Sequence, residues 1–342
     1  MDGTRSVASL DEVRALMAEL PGPDLASGTA AARREAELTK PAGALGRLEE
    51  ITQWLATWQG RSPPRLERPR TAVFAANHGV AARGVSAYPA EVTAQMVKNF
   101  IDGGAAINQL CELADAELRV YEMALDKPTR DFVEAPAMDE EDCARAIAYG
   151  MMAVEQGFDL LCLGEMGIGN TTSAAAVSLA LFGGEAGDWI GPGTGVTGAA
   201  LERKTEAVAA AVERHRSVMT DAFEILRCLG GQELAAIAGA VIAARLARTP
   251  VVLDGYACTA AAAVLYAWDR RALDHCLVAH VSAEPGHRRL LGKIAKVPLL
   301  DLGMRLGEAS GATLAVTILR AALACHTGMA TFAEAGVSGK AD

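Results

Sequence analysis

Apolar residues in the first sixty positions recur every three to four places. SLDEVRALMAEL (9–20) opens on a Ser/Asp cap signal and stops at Pro21. AARREAEL (31–38) keeps a helical pattern, and LGRLEEITQWLATWQ (45–59) lines up Leu45, Leu48, Ile51, Trp54, Leu55 and Trp58. These three stretches predict helices. The polar, proline-rich segment RSPPRLERPR (61–70) breaks the pattern and marks the expected domain boundary: a small helical domain over 1–65, with possible completion by C-terminal residues, and a large domain over 66–342. Beyond it the pattern changes. Short apolar runs appear at TAVFAA (71–76), ELRVYEMAL (117–125), FDLLCLG (158–164), PVVLD (250–254) and CLVAHV (276–281), interleaved with helical stretches. Strand, loop and helix in repetition predict an α/β, Rossmann-like three-layer domain around a parallel sheet. Runs apolar throughout suit strands covered on both faces. A weaker sixth strand is expected near Asp188–Ile190 or at PLLDL (298–302), giving about six.

Composition narrows the function. Of 342 residues, 51% are hydrophobic and 22% charged, which excludes a disordered chain. Acidic residues outnumber basic ones 42 to 32, a net charge of −10, so there is no overall basic footprint for nucleic acid. Seven cysteines, an odd number with no CxxC pair, argue for reduced thiols in the cytoplasm rather than a disulfide scaffold or a structural zinc site. The start MDGTRSVASLDEVRALM carries early acids and no apolar core, so no secretory leader is expected. The longest uncharged stretch, 166–184, has an apolar part AAAVSLALF about half a membrane span long, and reads as a buried helix. The 34 glycines gather in loops after the expected strands, among them Gly79, Gly164, Gly167, Gly169, Gly191, Gly193, Gly195 and Gly255. In open parallel sheets those loops line the ligand crevice, and glycine lets backbone N–H groups approach a ligand. A small, phosphorylated ligand is expected.

Five motifs carry the chemistry, each with a plainer alternative. GEMGIGNTTSAAA (164–176) runs from a strand end through a glycine loop into a helix opened by Thr171, Thr172 and Ser173, an anion site or simply a capped helix. GPGTGVTG (191–198) contains GxGxxG, but no convincing strand precedes it; a phosphate-facing loop suits it better than a dinucleotide site. Lys204, early in the following helix, either reaches that loop or lies in solvent. HVSAEPGH (280–287) offers His280, Glu284 and His287, which are metal-ligand types at a spacing that matches no zinc motif and suits a hydrogen-bonded loop. NHGVAARGVSAYP (77–89) is a long loop whose Tyr88 could cover a planar ring, or an ordinary crossover. Glu308 opens a helix that is apolar nearly all round, either as a dipole partner or as an acid with a raised pKa.

Eight blocks in order resemble one family, the nicotinate-nucleotide–dimethylbenzimidazole phosphoribosyltransferases. They are LTKPAGALGRLE (38–49), HGVAARGVSAYPAEVTAQMV (78–97), GGAAIN (103–108), GEMGIGNTT (164–172), GPGTGV (191–196), DGYACTAAA (254–262), HVSAEPGH (280–287) and LLDLGMRLGEASGATLA (299–315). The resemblance implies a cytoplasmic homodimer that uses nicotinate mononucleotide and dimethylbenzimidazole and needs no cofactor or metal. It implies Glu308 as general base, Glu165 and Lys204 as further catalytic polar groups, and phosphate on the loop with Gly167, Gly169, Asn170, Thr171 and Thr172. Gly193, Gly195, Asp254 and Gly255 join the substrate-binding set, and Ser86, Tyr88, Met304 and Leu306 are expected near the benzimidazole. Asn77 and Arg83 stand where the family pattern leads us to expect acids, close to the base pocket. Two other classes stay open: a nicotinamide-dependent dehydrogenase, resting on GxGxxG alone, and a nucleotide sensor that binds without turnover.

Overall fold

Five apolar runs pair side by side, all parallel, in the order β2-β1-β3-β4-β5. The strands are β1 (Pro69–Ala75), β2 (Glu117–Glu122), β3 (Leu160–Met166), β4 (Val251–Leu253) and β5 (Cys276–Val278). The structure is a computed structural model and describes residues 8–155 and 157–338. Side chains alternate between two cores, as the pleat of a doubly covered sheet requires. Ala72, Phe74, Leu161, Leu163, Val251 and Leu253 face the larger core. Val73, Leu160, Cys162 and Val252 face the smaller one. The large face is covered chiefly by helices 140–151, 170–182, 232–246 and 256–268, the small face by 47–59, 106–114 and 310–328. Strand β2 pairs on one side only and its residues are part-exposed, so its pattern departs from the fully apolar expectation.

All three expected N-terminal helices form, at Leu10–Ala18, Leu25–Glu37 and Arg47–Gln59. The first is capped by the Ser9 hydroxyl, which accepts the Glu12 N–H at 3.3 Å. Its Leu10, Val13, Leu16 and Met17 enter the larger core. The other two pack on each other, and the third also lies on helix Ser310–Gly328. Residues 326–331 are tied to this pair: Arg34 donates to the His326 carbonyl at 2.8 Å, and Leu38 bridges Thr331.

The sixth strand is not formed. Ala186–Asp188 is a short 3-10 turn, and the adjoining Trp189 plugs the large core. At 298–302 only Leu300 pairs with His280; Leu299 and Leu300 donate to Val278 and Ala279. Pro298 and the exposed Asp301 leave too few apolar, N–H-bearing residues there to extend a ladder. All seven cysteines are free thiols, six of them buried. Among the described residues, no helix is long and apolar enough to cross a membrane.

Candidate active site

The strand order reverses direction between β1 and β3, and a ligand crevice belongs at the carboxyl ends beside that point. A cavity of about 530 Å³ opens there, lined by residues following β1, β3, β4 and β5 and by the 305–308 turn.

One wall is acidic. Gly164 lies within β3 because the start of helix Ser310–Gly328 presses on it; a Cβ there would sit 2.4 Å from the Ala309 Cα. The next residue, Glu165, is buried at the strand end and accepts a hydrogen bond from the Asn170 side chain. Its carbonyl accepts the Glu308 N–H at 3.0 Å. Gly307, Glu308 and Ala309 all take the left-handed conformation, with φ of +85°, +63° and +61°. Each non-glycine there costs about 1–2 kcal/mol. That strain turns the chain sharply, so Glu308 faces the cavity instead of extending the helix. Its carboxylate makes no hydrogen bond or ion pair among the described residues, and its side chain is buried. Burial, then the nearby Asp254 charge, pushes its pKa up to about 7. Burial, followed by the charges of Glu233 and Asp254, pushes Glu165 up to about 8, with the Asn170 bond opposing. Two acids held near neutrality in one cleft are suited to proton transfer.

The opposite end suits an anion. Helix Asn170–Phe182 opens with Asn170 and Thr171 on the cavity. Lys204, fully buried, donates to the Thr171 hydroxyl and to the Gly191 carbonyl, both at 2.9 Å, and so pins the two glycine loops together. Burial lowers its pKa to about 8, with the Glu284 charge acting against that. Glu284 accepts the Gly193 N–H at 2.9 Å, and Arg305 donates to the Gly193 carbonyl at 2.8 Å. A Cβ on Gly193 would lie 2.7 Å from the Thr171 hydroxyl, so the loop packs this closely only with glycine.

The remaining expected residues fall into three groups. Tyr88, Leu306, Gly167 and Gly255 line the cavity, with Tyr88 and Leu306 at its mouth, 55% and 56% exposed. Ser86 bonds the Thr194 hydroxyl at 2.9 Å and so holds the Tyr88 loop against the Gly193 loop. Gly169, Thr172, Gly195, Asp254 and Met304 are not among the lining residues. Thr172 is packed in the interior, Asp254 lies behind His280, and the Met304 carbonyl accepts the Ala283 N–H.

Several expectations change. Asn77 and Arg83 do not line the cavity: Asn77 donates to the Leu125 carbonyl, and Arg83 pairs with Asp131 and Glu134. Both tie the loop after β1 to the loop after β2. GxGxxG follows a 3-10 turn rather than a strand, so the dinucleotide geometry is absent. His287 accepts the Ser282 N–H on Nδ1 and bonds Thr259 through Nε2, and burial holds its pKa at about 3. With Glu284 on Gly193, the three metal-type residues have separate roles. No metal-binding group of three His, Cys, Asp or Glu occurs among the described residues. Sequence reasoning missed Val92 and Met96, which give the cavity an apolar wall, and Arg305. The first two read as ordinary core positions of an amphipathic helix; Arg305 was visible only as a cation beside Glu308.

A parallel α/β sheet whose crevice sets a glycine-rich helix start opposite two near-neutral acids suits group transfer on a phosphorylated small molecule. The chain belongs to the phosphoribosyltransferase family, whose model matches residues 20–337. The nicotinate-nucleotide–dimethylbenzimidazole phosphoribosyltransferase of Brucella canis is 59% identical over 328 residues, 96% of this chain and 97% of that protein. That of Brucella anthropi is 58% identical over 329 residues, with the same coverage of both chains. Among solved structures, CobT from Thermus thermophilus superposes with a TM-score of 0.86 at 44% identity, covering 92% of this chain and 99% of that one.

Proposed function

We propose that this chain transfers the phosphoribosyl group of nicotinate mononucleotide to 5,6-dimethylbenzimidazole, giving α-ribazole 5′-phosphate and nicotinate in cobalamin biosynthesis. The observation that carries this reading is Glu308: a buried, unpartnered carboxylate near neutrality, facing a cavity whose other end is formed by the Thr171 helix start and the Gly193 loop. The chemistry asks for little more. Nicotinate on C1′ is a pyridinium, so the C1′–N bond breaks with its electron pair leaving on a neutral ring nitrogen. That departure requires no general acid. One nitrogen of the benzimidazole attacks C1′ while the other gives its proton to Glu308. Attack opposite the leaving group inverts C1′. The glycine loops, braced from behind by Lys204, hold the phosphate, Val92, Met96, Tyr88 and Leu306 hold flat rings, and the gain is largely alignment.

Nicotinate release from the mononucleotide, measured with and without dimethylbenzimidazole, tests the reading. Release that requires the base, with α-ribazole 5′-phosphate as the second product, is expected; binding without release would assign a sensor. In the same assay kcat/KM should rise with pH through about 7, because Glu308 acts only when deprotonated. It should decline above about 8 as Lys204 loses the charge with which it braces the Thr171 and Gly191 loops and phosphate binding weakens. A profile flat from pH 6 to 9 would remove both residues from these roles.

A cytoplasmic homodimer fits the same reading. Tyr88 and Leu306 sit exposed at the cavity mouth, and Leu302 close by is 61% exposed. A second copy would cover this apolar rim. Light scattering at micromolar concentration should give twice the monomer mass; a stable monomer contradicts it.

A further inference from the structure

The cavity floor holds a histidine that the proposed transfer does not use. His280, 1% exposed, lines the cavity just beyond β5, and neither ring nitrogen has a hydrogen-bond partner among the described residues. Burying a polar group without a partner is unfavourable unless a ligand supplies one. The position is nevertheless built for an imidazole. A Cβ on Gly311 would lie 2.1 Å from the ring Cδ2, and one on Gly255 would lie 3.2 Å from Nε2. Behind the ring, Asp254 Oδ1 is 3.6 Å from Nε2 and is itself anchored by the Ala312 N–H at 2.9 Å.

The neighbouring histidine supplies the contrast. His287, whose ring centroid lies 6.4 Å from that of His280, has both nitrogens satisfied and is held neutral. At His280 burial also opposes the charge, but Asp254 outweighs it and the pKa is raised. One loop therefore carries a neutral structural histidine and a cation-prone one that lines the cavity, with the Asp254 carboxylate, 3.6 Å away, opposite its ring. The other cation lining the cavity, Arg305, donates to the Gly193 carbonyl, and Lys204 lies behind the lining on Thr171 and Gly191.

We propose that His280, oriented by Asp254, donates a hydrogen bond to an anionic oxygen of the bound mononucleotide, either its ring carboxylate or its phosphate, and so helps set substrate specificity. This rests on the functional reading above and deepens it. Calorimetric titration of the full chain with three ligands separates the sources: nicotinate mononucleotide, nicotinamide mononucleotide (no carboxylate) and nicotinate riboside (no phosphate). His280→Gln should weaken nicotinate mononucleotide by roughly 10–100-fold, the loss of one charge-assisted hydrogen bond. The penalty should nearly vanish for whichever ligand lacks the contacted anion. Asp254→Asn keeps the ring and removes the charge behind it; it should reproduce the pattern at smaller size, and replaces the first variant if that one does not fold. An equal loss across all three ligands, or none, overturns the inference alone. A wild-type chain that binds none of the three overturns the functional reading and the inference with it.

Discussion

Glu308→Gln is expected to lower turnover by roughly 10²–10⁴-fold while nicotinate mononucleotide still binds and the protein still melts near its normal temperature. Glutamine keeps the shape of the side chain but cannot take a proton. It also leaves the backbone problem unchanged: the residue stays left-handed at φ +63°, and its N–H still reaches the Glu165 carbonyl. The strained turn that aims the side chain is therefore common to both proteins, and the comparison isolates the carboxylate. The competing role is a helix-dipole contact at the start of Ser310–Gly328, worth about 1 kcal/mol of folding stability. The two roles differ in readout. A dipole partner would shift the melting temperature by a few degrees and leave turnover alone. Wild-type turnover in the variant, or activity lost only through unfolding, would overturn the assignment as base.

Thr171→Glu should weaken nicotinate mononucleotide binding by roughly 30–100-fold, comparable to the loss of a charge-assisted contact plus like-charge repulsion. Thr171 is the informative position because the residue lines the cavity and its hydroxyl accepts the Lys204 hydrogen bond. A glutamate there would occupy the lysine and present a carboxylate where the phosphate is expected. Thr172 is the wrong choice, since it is wholly packed and a glutamate would disturb the core before it met a ligand. Calorimetry with the mononucleotide is the measurement. Unchanged affinity would show that phosphate lies elsewhere in the cavity.

The glycine loop at 164–172, the acid opening the last long helix and the strand–helix alternation were all legible in the sequence. They depend on local chemistry: backbone freedom, free N–H groups at a helix start, and the spacing of apolar residues. What joins them is not local. Lys204 could be read as reaching a loop or as lying in solvent, and only packing decided that it is buried between Thr171 and Gly191, 33 and 13 residues away. Asn77 and Arg83 stood close in sequence to Tyr88, yet both turn to the loop after β2, because parallel pairing sets β2 beside β1. His280 and His287 share one eight-residue block and look equivalent there. Thr259 and Ser282 satisfy the second, whereas the first is left with the Asp254 carboxylate at 3.6 Å.

By itself, then, the sequence determined the layer architecture, the strands covered on both faces apart from β2, and the side of the sheet on which the cavity opens. Each of these follows from residue patterns repeated along short stretches. Tertiary structure alone decided the strand order, the failure of the sixth strand, and the apolar wall of Val92 and Met96. It also decided the charge states of the site. Glu165, Lys204 and Glu308 are ordinary acids and an ordinary base as letters in a chain. They are pushed to about 8, 8 and 7 only because folding removes water from them and, for the two acids, brings like charges near.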